Sequence, residues 1–158
     1  MSPTMVPSAG VSSSLAALVP RLANFLASRL ESLEPALSLT QLSVMKHIAE
    51  GTTRPVDLAQ RARVSGATMS EILERLSSMD AVSRERDLSD RRTIQLALTP
   101  TGRLLLADRS MRIERELDQL IGPAGTEPLA TIERAVRTLH VALDVRQESG
   151  YSVGTASA

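Results

Sequence analysis

The chain has 158 residues, 18 acidic and 18 basic side chains, and no cysteine. One hydrophobic core is reasonable at this length, while disulfides, thiolate metal sites and cysteine-based redox sensing are excluded. With Phe25 and Tyr151 as the aromatic residues, the core must come from Leu, Ile, Val, Met and Ala, a composition that suits helices.

Net charge is zero, yet the stretch from Arg54 to Arg103 carries a net +2 and the stretch from Leu104 onward a net −2. An anionic partner would therefore dock on the middle of the chain. No stretch resembles a membrane span, and Met1 to Ser14 lacks the basic residues of a signal peptide, so a cytoplasmic location with no membrane partner is expected.

Residues 1–13 are rich in Ser, Pro and Gly and are expected to form a disordered tail. Leu15, Leu18, Leu22, Phe25, Leu26, Leu30 and Leu33 then recur at helical spacing. Pro20 lies inside that pattern, which requires either a first-turn position or a kink. Thr40 is the expected N-cap of a second helix with Leu42, Met45, Ile48 and Ala49 on its apolar face, ended by Gly51. Pro55 opens a short third helix to Ala62, with Leu58 and Ala59 inward. Ser65 caps a fourth helix whose apolar face is Met69, Ile72, Leu73, Leu76 and Met79.

The period then changes. Val82, Arg84 and Arg86 share one side of an extended segment, residues 88–92 form a polar turn, and Ile94, Leu96 and Leu98 alternate with polar or small residues as in a half-buried strand. These predict a β-hairpin. Thr99-Pro100 is an N-cap followed by Pro at the first helical position, so a long helix starts there and runs to Ile121, where Gly122 to Gly125 breaks it. Leu129, Ile132, Val136, Leu139 and Leu143 mark a last amphipathic helix, and residues 149–158 form a flexible tail. Met45, Met69, Met79 and Met111 read as core fillers, and His47 and His140 as packing or surface residues, not metal ligands.

A short helix, a tight turn at Arg63-Val64, a longer helix and a basic hairpin, in that order, make a winged helix-turn-helix. Ser65, Thr68 and Arg75 fall opposite Met69, Ile72 and Leu76, where small hydroxyls, free N–H groups and a guanidinium suit phosphates and base edges. Arg91 and Arg92 at the hairpin tip suit a narrow minor groove.

Residues 57–106 resemble the MarR (multiple antibiotic resistance regulator) family. The matching features are Leu58-Ala59, Val64-Ser65, Arg75-Leu76, Asp90-Arg91-Arg92, and Leu98-Thr99 with Gly102. The resemblance implies a mainly α fold with a small β-hairpin wing, in which a lobe at about residues 40–99 is flanked by dimerisation helices at about 14–34 and 100–147. It implies a homodimer on a pseudo-palindromic operator in double-stranded DNA. Ser65, Thr68 and Ser70 would read DNA with Arg75 in support, and Arg92 would enter the minor groove, oriented by Asp90. It permits a small aromatic or phenolic effector, with no ligand pocket assigned, and requires no cofactor or metal. Two departures stand out: Glu71, where such proteins often carry a basic or neutral residue, and Gly66-Ala67 in place of Pro and Ser. The expectation is a sequence-specific regulator, a repressor, and not an enzyme, because no nucleophile motif, phosphate loop or catalytic carboxylate pair is present. The alternative is a non-specific architectural or protein-binding winged helix.

Overall fold

A computed structural model describes residues 8–86 and 94–151. In chain order it holds α1 (Ser8–Glu31), α2 (Leu39–Ala49), α3 (Pro55–Ala62), α4 (Gly66–Ser78), β1 (Val82–Arg86), β2 (Ile94–Leu98), α5 (Pro100–Ile121), a 3-10 turn (Gly122–Ala124) and α6 (Thr126–Tyr151). The chain divides into a unit ending at Glu114 and a second unit beginning at Arg115.

The first unit packs one core. Leu30 from α1, Leu37, then Leu42, Val44, Met45 and Ile48 from α2, Leu58 from α3, and Met69, Leu73 and Leu76 from α4 close over Val82, Leu96 and Leu98 of the hairpin. Each such aliphatic side chain, fully buried, contributes about 1.5–3 kcal/mol. β1 and β2 are antiparallel, with Val82 opposite Leu98 and Arg84 opposite Leu96. That register puts Val82, Arg84, Leu96 and Leu98 on one face; Val82, Leu96 and Leu98 are buried in the core, and Arg84 is exposed. The other edge of β2 is held from a distance: the Leu96 N–H donates to the Thr53 carbonyl at 2.8 Å.

Several local expectations need correction. α1 opens at Ser8, ahead of the start expected at residue 14, and runs through Pro20 well past its first turn. The N-cap of α2 is Ser38, not Thr40. The Ser38 hydroxyl accepts from the Gln41 N–H, and the Gln41 side chain accepts from the Ser38 N–H, a complete capping box. The buried face of α2 also includes Val44 and leaves Ala49 exposed. Met111 is 57% exposed, so it does not fill this core.

The start of α5 is laced to the end of α4. Asp80 adopts a left-handed conformation (φ 53°), which turns the chain sharply into β1. The Thr99 hydroxyl donates to the Asp80 carbonyl and accepts from the Gly102 N–H at 2.9 Å, while the Thr101 hydroxyl donates to the Asp80 carboxylate at 3.0 Å. Thr99 thus caps α5 as expected. Further along α5, the buried Arg109 pairs with Asp108 and donates through Nη2 to the Pro35 carbonyl at 2.9 Å. A buried guanidinium must be paired in this way or it strongly destabilises the fold.

The second unit takes in the end of α5, the 3-10 turn and α6. Its apolar stripe is left uncovered in the single chain: Ile132, Val136, Leu139 and Leu143 are all exposed. No described helix is long and apolar enough to cross a membrane.

Candidate nucleic-acid interface

α3 ends at Arg63, which is left-handed (φ 53°, ψ 43°) and lets the Val64 N–H return to the Ala59 carbonyl at 3.0 Å. This αL residue sets the tight turn between the two helices. Ser65 follows in an extended conformation and caps α4, its hydroxyl accepting from the Thr68 N–H at 3.1 Å. Burial of Met69, Leu73 and Leu76 then fixes the rotation of α4, so Ser65, Thr68, Ser70, Glu71, Glu74, Arg75 and Ser78 are all exposed.

The hydroxyls expected to meet DNA are partly committed within the helix. Ser65 and Thr68 share one hydrogen bond of 2.9 Å between their hydroxyls. Two hydroxyls and one shared bond leave one proton free to donate outward. Ser70 donates to the Gly66 carbonyl at 2.9 Å and so faces solvent as an acceptor. The N–H groups of Gly66 and Ala67, in the first turn, have no acceptor within the helix. The first turn therefore presents a hydroxyl proton and two amide protons, a donor-rich end suited to phosphate or base acceptors.

Among the described residues Arg75 forms no ion pair with Glu71 or Asp80, and its guanidinium is solvent-exposed. Glu74 and Ser77 join Ser70 along the other flank of α4 and line an open groove against Val82 and Arg84 of β1. Sequence reasoning passed over Glu74 and Ser77, although the i, i+4, i+7 spacing from Ser70 carried the signal. Asp90, Arg91 and Arg92 lie outside the described residues. β1 and β2 end on the pair Arg86 and Ile94, and residues 87–93 join them.

No group of three metal-ligating side chains occurs among the described residues. His47 is half-buried on α2, with Nδ1 3.4 Å from the Glu50 carboxylate.

The sequence model of the family described as transcriptional regulator SarA/Rot matches residues 31–109, half of the chain. The chain belongs to the SarA/Rot family of transcriptional regulators. In this SarA/Rot chain the matched span runs from the end of α1 through α4, the hairpin and the first part of α5. The family is one of regulators, not enzymes.

Solved structures agree on the fold. Wild-type MarR from E. coli superposes with a TM-score of 0.70 at 18% identity, over 85% of this chain and 98% of that one. BldR from Sulfolobus solfataricus gives 0.69 at 20% identity, over 89% and 99%. FabT from Streptococcus pneumoniae, solved in complex with DNA, gives 0.69 at 18% identity, over 87% and 97%. The SarA/Rot chain thus has the winged helix-turn-helix fold of MarR regulators, as the sequence resemblance implied. No curated protein matches the sequence.

Proposed function

We propose that this SarA/Rot regulator is a repressor that binds a pseudo-palindromic operator in double-stranded DNA as a homodimer. The observation that carries this reading is the exposed, donor-rich first turn of α4, held in place by the Ser65 cap and by burial of Met69, Leu73 and Leu76. FabT, which shares the fold, is a DNA-bound example. In the proposal Ser65, Thr68 and Ser70 contact the major groove with Arg75. Arg91 and Arg92 contact the flanking minor groove, and Asp90 orients the wing. The homodimer would place its two recognition helices about 34 Å apart, in successive major grooves. A small aromatic or phenolic effector would release the operator by favouring dimers with the wrong spacing.

A second reading, a non-specific architectural or protein-binding module, draws, on the protein-binding side, on Glu71 and Glu74, two exposed carboxylates of α4 that oppose a DNA phosphate. Selection of bound duplexes from a random pool separates the two. Enrichment of a two-fold symmetric motif supports the repressor, and an unenriched pool supports the module.

A further inference from the structure

We propose that Glu71 and Arg75 together read one C·G base pair in each operator half-site, Glu71 accepting from the cytosine N4 amino group and Arg75 donating to guanine O6 and N7. This rests on the DNA-binding reading of α4 given above and names the base that the helix selects.

Glu71 and Arg75 are four residues apart, so they are neighbours on one ridge of α4, with Cβ atoms about 5–6 Å apart. Both are exposed, on the flank that also carries Thr68. An acid four residues before a base is the order that favours an ion pair on a helix. None joins these two, and Asp80 accepts a hydrogen bond from Thr101. The helix therefore offers an acceptor and a donor fork side by side.

Only certain partners suit that couple. Phosphate repels Glu71, so a purely backbone role for this part of the helix wastes its charge. In the major groove the amino donors are cytosine N4 and adenine N6. Adenine sets its N7 lone pair beside N6, and a carboxylate is repelled there. At a C·G pair the acceptors belong to guanine, where bidentate arginine is the favoured contact. The acid and the base thus match the two halves of one base-pair edge. A wrong base leaves a desolvated carboxylate unpaired, so the couple penalises other sequences as well as favouring its own.

The test runs the random-pool selection in parallel with the full chain and its Glu71→Gln and Arg75→Ala variants, with circular dichroism confirming that each remains helical. Gln preserves size and helix propensity while removing the charge. The parent is expected to fix a C·G pair at one position per half-site, preferring it over T·A by about 5- to 150-fold. Glu71→Gln is expected to lose cytosine at that position and shift toward adenine, which an amide pairs with through N6 and N7, while the rest of the motif persists. Arg75→Ala is expected to relax the same position. An enriched parent motif that Glu71→Gln leaves unchanged overturns this inference alone. A parent pool with no enrichment overturns it together with the repressor reading.

Discussion

The carbonyl oxygen of Ala81 occupies the space that a side chain on Gly102 would need: a Cβ built there would lie 1.9 Å from it. The first turn of α5 therefore rests directly on the strand entry that follows α4. Thr99 and Thr101 fasten the same junction to Asp80. Because the obstacle is backbone, no rotamer change relieves it. Gly102→Ala should lower folding stability by about 1–3 kcal/mol, in the range of core overpacking. Urea unfolding measures this, and an unchanged midpoint would show that the junction yields freely.

Gly66 presents the opposite case. It occupies the first helical position of α4, and a Cβ there meets nothing within 4 Å. Ser65 before it is extended (ψ 158°), as a residue preceding proline prefers. Gly66→Pro should raise stability by about 0.4–1 kcal/mol, mainly by restricting the unfolded chain. Thermal denaturation checks this, and a lowered midpoint contradicts it. If the stabilised variant also binds operator more weakly, the Gly66 N–H is a DNA donor.

The exposed stripe on α6 bears on assembly. Leu139 stands between Val136 and Leu143 on that stripe, and a carboxylate there would have to be desolvated in any interface. Leu139→Glu should sediment as a monomer at concentrations where the parent is a dimer, with its helical content retained. A dimeric variant would move the interface elsewhere.

Much of this architecture was readable from local chemistry. Ser65, Pro55 and Thr99 announce helix starts because each satisfies, or lacks, a specific backbone donor. The inward faces of α4 and β2 follow from periods of 3.6 and 2. Ser38 was also readable, since Ser-Leu-Thr-Gln spells a capping box, but Thr40 competed with it as a nearby hydroxyl. What stayed hidden is non-local. Neither the bond from Leu96 to Thr53 nor the one from Arg109 to Pro35 has a sequence signature. The commitment of Ser65, Thr68 and Ser70 to hydrogen bonds inside α4 appears only once the helix is built. Glu74 went unread because the acid opposed the expected partner.

In the proposed reading the wing supplies the remaining, base-independent contact. Arg92→Ala should weaken operator binding by about 1–3 kcal/mol and leave the dimer intact. Parallel binding and sedimentation runs test both halves, and an unchanged isotherm would exclude the wing from the DNA interface.

The most direct measurement is a fluorescence anisotropy titration of the purified protein against its selected duplex and a scrambled duplex of equal length, at one fixed salt concentration. A recognition helix that reads base edges should bind the selected duplex at least about a thousandfold more tightly. Equal affinity for the two duplexes would mean that α4 touches only the phosphate backbone, and sequence-specific regulation by this chain would be contradicted.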